Sequence, residues 1–186
     1  MMNRRRPFLL LAVLAMSFEP GAVQAQGARD PAHPVIAGFG TITPLPDAAN
    51  QPDTAVNYRA VFNVTKAAAK PEEVNPSLDR VARFVNLLGS KGVNPAPGAL
   101  VAVIHGPATP IIMNDAAYQA RFGRANPNTA LIAALRQAGV EIHVCGQALG
   151  RAGIEPASVS RDVTVDLAAM VTLATLQLKG WALIPD

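Results

Sequence analysis

The sequence holds a single cysteine, Cys145, which closes the stretch Gly139-Val140-Glu141-Ile142-His143-Val144-Cys145-Gly146-Gln147. A thiolate is both a nucleophile and a soft metal ligand, and backbone N–H groups at a helix start favour that anion. His143 stands two residues before Cys145, so on a strand the two side chains share a face. His105 ends a different apolar run, Ala99 to His105, and reaches the same edge if the two runs are neighbouring strands. A Cys/His pair is the raw material for an activated thiol or a metal site. No third ligand stands at metal-binding spacing, so no zinc site is expected, and nothing brings the soft donor Met113 to Cys145. The ordinary readings stand beside these: free cysteine is among the most buried residue types, and each histidine taken singly is more simply a satisfied or surface residue.

Other chemistries lack their residues. Gly106 and Gly146 each follow an apolar run, but no Gly-x-Gly-x-x-Gly and no Gly-x-x-x-x-Gly-Lys occurs, so no nucleotide phosphate loop is expected. There is no Gly-x-Ser-x-Gly elbow for a serine nucleophile. Asp115 and Glu141 are scattered, and Asp166 reads as a helix cap.

The elements that must position Cys145 are legible as periodicities. Residues 58–64 alternate and are rich in β-branched and aromatic types, which predicts a strand. A helix is predicted over 76–89, with Asn75 as cap, Pro76 at its first position, Leu78, Val81, Val85 and Leu88 on one face, and Gly89 as its stop. Residues 99–105 form a continuous apolar strand, as expected at the centre of a parallel sheet. A short helix is expected within 111–122, then a helix over 129–138 capped by Asn126-Pro127-Asn128 and ended by Gly139. The strand ending at Cys145 leaves through Gly146 into a turn or short helix. A short strand at 163–165, a helix over 167–179 with a core stripe of Leu167, Val171, Ala174 and Leu178, and a strand at 181–184 complete the order. Such alternation predicts an α/β fold: a three-layer parallel sheet with helices on both faces and right-handed crossovers. In such sheets ligands gather at the carboxyl ends of the strands, where Cys145 would lie.

The chain has 186 residues, 50% hydrophobic and 16% charged, which suits one compact domain. Residues 1–25 read as a signal peptide: Arg4, Arg5 and Arg6, an apolar run from Phe8 to Phe18, and Val23-Gln24-Ala25 before a cut. The apolar run is too short to span a membrane. Arg5-Arg6-Pro7-Phe8-Leu9 also resembles the twin-arginine export motif, with ordinary secretion favoured. Without Arg4, Arg5, Arg6 and Glu19, 13 basic and 12 acidic residues remain, and no basic cluster is interleaved with aromatics, so no nucleic-acid partner is expected. A periplasmic or secreted location follows, where structural cysteines come in pairs. A lone cysteine there is inert and buried, joined to another molecule, or kept for its reactivity. Residues 26–53 carry five prolines between Pro31 and Pro52 and read as an extended arm or linker, mobile by default or wrapped on a neighbouring subunit. The folded domain is expected over 54–186.

Three blocks carry a family resemblance: Leu100 to Gly106; Asn128, Leu131, Leu135 and Gly139-Val140; and Val144-Cys145-Gly146-Gln147, followed by Leu173 to Gly180. Together, over about 58–184, they resemble the DsrE/DsrF-like (YchN-like) family. The resemblance implies a parallel α/β sheet, homo-oligomers as trimers or hexamers, and sulfur carried as a persulfide on the matching cysteine, here Cys145. It brings no cofactor. On that reading Cys145 accepts sulfane sulfur from a donor and passes it to an acceptor, both unidentified. Gly146 and Gln147 offer backbone N–H groups to the anionic sulfur, and His105 or His143 tunes its ionisation. The alternative is a non-enzymatic oligomeric binding protein in which Cys145 is structural or holds a soft metal.

Overall fold

The structure is a computed structural model and describes residues 30–186; the expected signal peptide at 1–25 lies outside the described residues. In chain order the elements are β1 (Ala60–Val64), α1 (Pro76–Gly89), β2 (Leu100–Ile104), a 3₁₀ helix (Gly106–Ile112), α2 (Asp115–Phe122) and α3 (Thr129–Gln137). Then come β3 (Glu141–Cys145), α4 (Gly146–Ala152), β4 (Thr164–Asp166), α5 (Ala169–Leu178) and β5 (Ala182–Ile184). The strands form one sheet in the order β4-β3-β2-β1-β5, every pairing parallel. This is the expected α/β architecture, with the all-buried β2 at its centre.

Strand alternation splits the core in two. Ala60, Phe62, Val64, Leu100, Ala102, Ile104, Ile142 and Val144 face α1 and α3. Val61, Val101, Val103 and Cys145 face the other way, onto Ala148 of α4 and Ala169, Leu173 and Leu176 of α5. Helix α1 starts as its sequence predicts: the Asn75 side-chain oxygen accepts from the N–H groups of Ser77 (3.0 Å) and Leu78 (2.9 Å).

The short helix expected within 111–122 is α2, and ahead of it residues 106–112 form a 3₁₀ helix, in which Pro107 and Pro110 remove donors that a longer α-helix needs. Three local expectations are corrected. Asn128 does not cap α3 with its side chain; its Oδ1 accepts the Asn75 N–H across the core at 2.8 Å instead. Asp166 is the last residue of β4, and α5 begins only after Ala168, so the carboxylate is spent on side chains rather than on a helix start. The supposed core stripe of α5 faces outward: Leu167, Val171 and Leu178 are exposed, and Ala169 is the helix's buried residue.

The proline-rich residues 30–53 form no helix or strand, yet they lie fastened to α1 of their own chain. Asn86, buried in α1, accepts from the N–H groups of Val35 (3.0 Å) and Ile36 (2.8 Å) and donates to the carbonyls of Phe39 (2.9 Å) and Gly40 (3.0 Å). Gly40, at φ 61°, passes so close that a Cβ there would lie 2.2 Å from the Arg83 nitrogen. Replacing Asn86 with Ala strands this segment's buried polar groups and is expected to cost about 2–3 kcal/mol. Denaturant unfolding measures that loss, and limited proteolysis should then cut first within 30–53.

At the other end, the Asp186 side chain joins β5 to β1 and α1. Its carboxylate accepts from the Thr65 N–H (2.7 Å), the Thr65 hydroxyl (2.6 Å), the Lys66 N–H (2.8 Å) and the Ser77 hydroxyl (2.5 Å). Burial alone would raise this carboxyl, but the Ser77 and Thr65 hydroxyls and the two N–H groups hold it well below the ordinary carboxylate range. A depressed folded-state value stabilises the fold above the unfolded value of about 3.9, and that contribution fades as pH falls further. Asp186→Asn should therefore lower stability near neutral pH, with the gap to wild type closing below about pH 4.

Candidate functional site

Because β2 and β3 run parallel with Ile104 opposite Val144, the next residue on each, His105 and Cys145, emerge side by side at the carboxyl edge of the sheet. Cys145 is the last residue of β3, and α4 begins at Gly146. The free thiol is 6% exposed and faces the α4/α5 side of the sheet. Next to it opens a cleft of about 330 Å³, lined by His105, Gly106, Cys145, Ala148, Arg151 and Ala152. A larger cavity, about 510 Å³, lies between residues 42–52 and α1, and no cysteine, histidine or carboxylate lines it. The smaller cleft is where the reactive groups meet.

His105 is held by the neighbouring strand. Its Nε2 lies 2.6 Å from Asn63 Oδ1 on β1; a carbonyl oxygen accepts, so Nε2 carries the proton and the neutral ring keeps Nδ1 as an acceptor. Burial pushes the His105 value below the ordinary imidazole range, while the negative charge of Asp186 works the other way. Burial has the larger effect, so the ring protonates less readily than a free imidazole.

His143 shares the face of Cys145, but its ring is committed elsewhere. Nδ1 lies 2.9 and 3.0 Å from the two Asp166 oxygens, and Nε2 lies 3.3 Å from Glu141 Oε2. Asp166 also accepts from the Thr172 hydroxyl at 2.6 Å. This cluster ties β3, β4 and α5 together and does not line the cleft. The Gln147 side chain is likewise turned away, donating to the Leu167 carbonyl at 3.4 Å. Gly146 is glycine for a packing reason: a Cβ there would lie 2.8 Å from the Asp166 carbonyl oxygen. The first N–H groups of α4, which include those of Gly146 and Gln147, have no partner within the helix. Met113 packs in the core on the opposite side of the sheet. Among the described residues no three His, Cys, Asp or Glu side chains are grouped to hold a metal.

Ala148, Arg151 and Ala152 line the cleft without having stood out in the sequence. The signal was the spacing of Cys145, Ala148 and Ala152, three and four apart, which becomes one helical face only once residues 146–152 are known to be helical. For His105, an NMR titration should place the imidazole midpoint below about 6.5. Asp186→Asn, which removes the opposing charge, should move that midpoint lower still; an upward move would contradict the geometry.

A model of the DsrE/DsrF-like family matches residues 64–185 of this chain. No curated protein matches. Among solved structures, a protein of unknown function from Methanobacterium thermoautotrophicum is similar with a TM-score of 0.54 at 17% identity, covering 69% of this chain and 99% of that one. At that identity the likeness is one of fold.

Proposed function

Since the chain belongs to the DsrE/DsrF-like family, we propose that it is a sulfur carrier that holds sulfane sulfur as a persulfide on Cys145. The observation that carries this reading is the placement of the only cysteine at the end of β3, on a cleft that it shares with His105. In the proposed reaction His105 Nδ1 accepts the thiol proton, and the thiolate attacks the sulfane sulfur of a donor. The donor's sulfur–sulfur bond breaks as the new one forms, and the leaving group departs with the electron pair. The terminal sulfur of the persulfide then faces the free N–H groups at the start of α4. An acceptor thiolate takes that sulfur and releases Cys145 as thiolate. No net oxidant is consumed. His143, held by Asp166 and Glu141, braces β3 against β4 rather than taking part in the transfer.

The carrier works as a homo-oligomer on this reading, a second copy covering α5. Helix α5 carries seven apolar residues among its ten with no clear polar face, which suits a helix covered on more than one side. Yet Met170 is 78% exposed and Leu178 89% exposed, with Leu167 and Val171 open beside them. Such a contiguous apolar surface marks an interaction site. On the same reading residues 1–25 are an export signal, and the oligomer works in the periplasm or outside the cell.

Intact mass after exposure to polysulfide should show a gain of whole sulfur atoms that mild reductant removes and that Cys145→Ser abolishes. A folded protein that gains nothing sinks the carrier reading. For assembly, light scattering should find wild type larger than a single chain, and the pair Met170→Glu with Leu178→Glu should reduce it to a monomer with unchanged circular dichroism.

A further inference from the structure

The cleft beside Cys145 carries one charged side chain with nothing to pair with. Arg83 meets Asp79 at 3.6 Å and Arg124 meets Glu72 at 3.3 Å, whereas Arg151 makes no ion pair and no side-chain hydrogen bond among the described residues. No Asp or Glu lines the cleft. The positive charge on this wall is therefore uncompensated.

The helix face beneath it is cut to leave room. Ala148 and Ala152 follow Cys145 by three and seven positions and end at their Cβ atoms, so about 330 Å³ stays open above them. Arg151 stands six residues beyond Cys145, about 9 Å along the axis. Cys145 and Arg151 line the same small space, the cysteine nearly buried and the arginine exposed, so an anion that entered it would meet both.

We propose that Arg151 is a specificity-determining residue that selects sulfane donors ending in an oxyanion, the thiosulfate class; this rests on the carrier reading of Cys145. A guanidinium presents a planar fork of N–H donors that matches two oxygens of one anionic group. The terminal sulfur of a polysulfide offers no such pair, and a neutral polysulfane offers no charge. With the sulfonate oxygens on Arg151, the sulfane sulfur reaches inward to Cys145. The thiolate attacks that sulfur, a Cys–S–S bond forms, the donor's sulfur–sulfur bond breaks, and sulfite leaves with the bonding pair. The charge is one minus plus two minus on each side, and no outside oxidant or reductant is used. Arg151 holds the sulfite oxygens throughout, including when the second negative charge concentrates on that group.

The test reads anion selection first without any sulfur transfer. Cys145 is alkylated with iodoacetate and with neutral iodoacetamide, in wild type, Arg151→Met and Arg151→Lys, and followed by intact mass. Arg151→Met should slow iodoacetate at least about tenfold while leaving iodoacetamide unchanged, with Arg151→Lys between. An unchanged ratio of the two rates overturns the proposal. The same three proteins are then given thiosulfate or neutral dimethyl trisulfide. Arg151→Met should lose persulfide formation from thiosulfate by a similar factor and keep the rate at which dimethyl trisulfide leaves a methyl trisulfide or disulfide on Cys145, with methanethiolate or methyl persulfide departing with the bonding pair. Wild type that reacts with dimethyl trisulfide but takes nothing from thiosulfate overturns the donor class and leaves the carrier reading standing. Wild type that reacts with neither overturns both.

Discussion

The parallel pairing of β1, β2 and β3 is the constraint from which the site follows. Parallel strands bring all their carboxyl ends to one edge, and the registers Asn63 with Val103 and Ile104 with Val144 set the order along it. Asn63, His105 and Cys145 arrive there from three strands, on one face, without any loop having to find them. Those central strands are buried on both faces, so a register slip would turn core side chains onto the wrong side. The same packing that stabilises the domain therefore fixes the imidazole beside the thiol. Asp186 and the Asp166–His143 pair act further out, tying the short edge strands β5 and β4 to that frame.

Much of the fold could be read from the chain because its elements are written in periods of two and 3.6. The five strands, the start of α1 at Asn75 and the helices after Asn128 and before Gly180 fall near where periodicity placed them. The failures share a cause: a residue type that serves two structural purposes looks the same in sequence. An aspartate at a strand end and an aspartate before a helix are indistinguishable until the helix start is known, so Asp166 read as a cap. In α5 seven of the ten residues are apolar and the three polar ones, Thr172, Thr175 and Gln177, mark no single face, so the stripe chosen carried no information about which side is buried. Asn86 gave no signal either, since a polar residue in a helix is ordinarily exposed; its partners are backbone groups of an aperiodic segment some fifty residues away.

The site was half legible for the same reasons. Cys145 and His105 followed from strand ends, which sequence marks well. That His143 would be captured by Asp166 depended on β4 lying next to β3, a pairing that local pattern does not encode. Arg151 gave no signal while residues 146–152 could be either a turn or a short helix, because its relation to the thiol exists only once they are helical.

The carrier function proposed above sets two opposed demands, and the 6% exposure of Cys145 bears on both. A persulfide left open to water and to passing thiols would be reduced or exchanged before reaching its acceptor. A thiol sealed in a core would never be loaded. Ending β3 at the sheet edge sets the sulfur at the junction of core and cleft: Val61, Val103 and Ala169 belong to the apolar cluster behind it, and the small residues of α4 keep one approach open. Protection then comes from packing that the fold needs anyway, and access from two alanines and a glycine whose small size looks unremarkable in sequence.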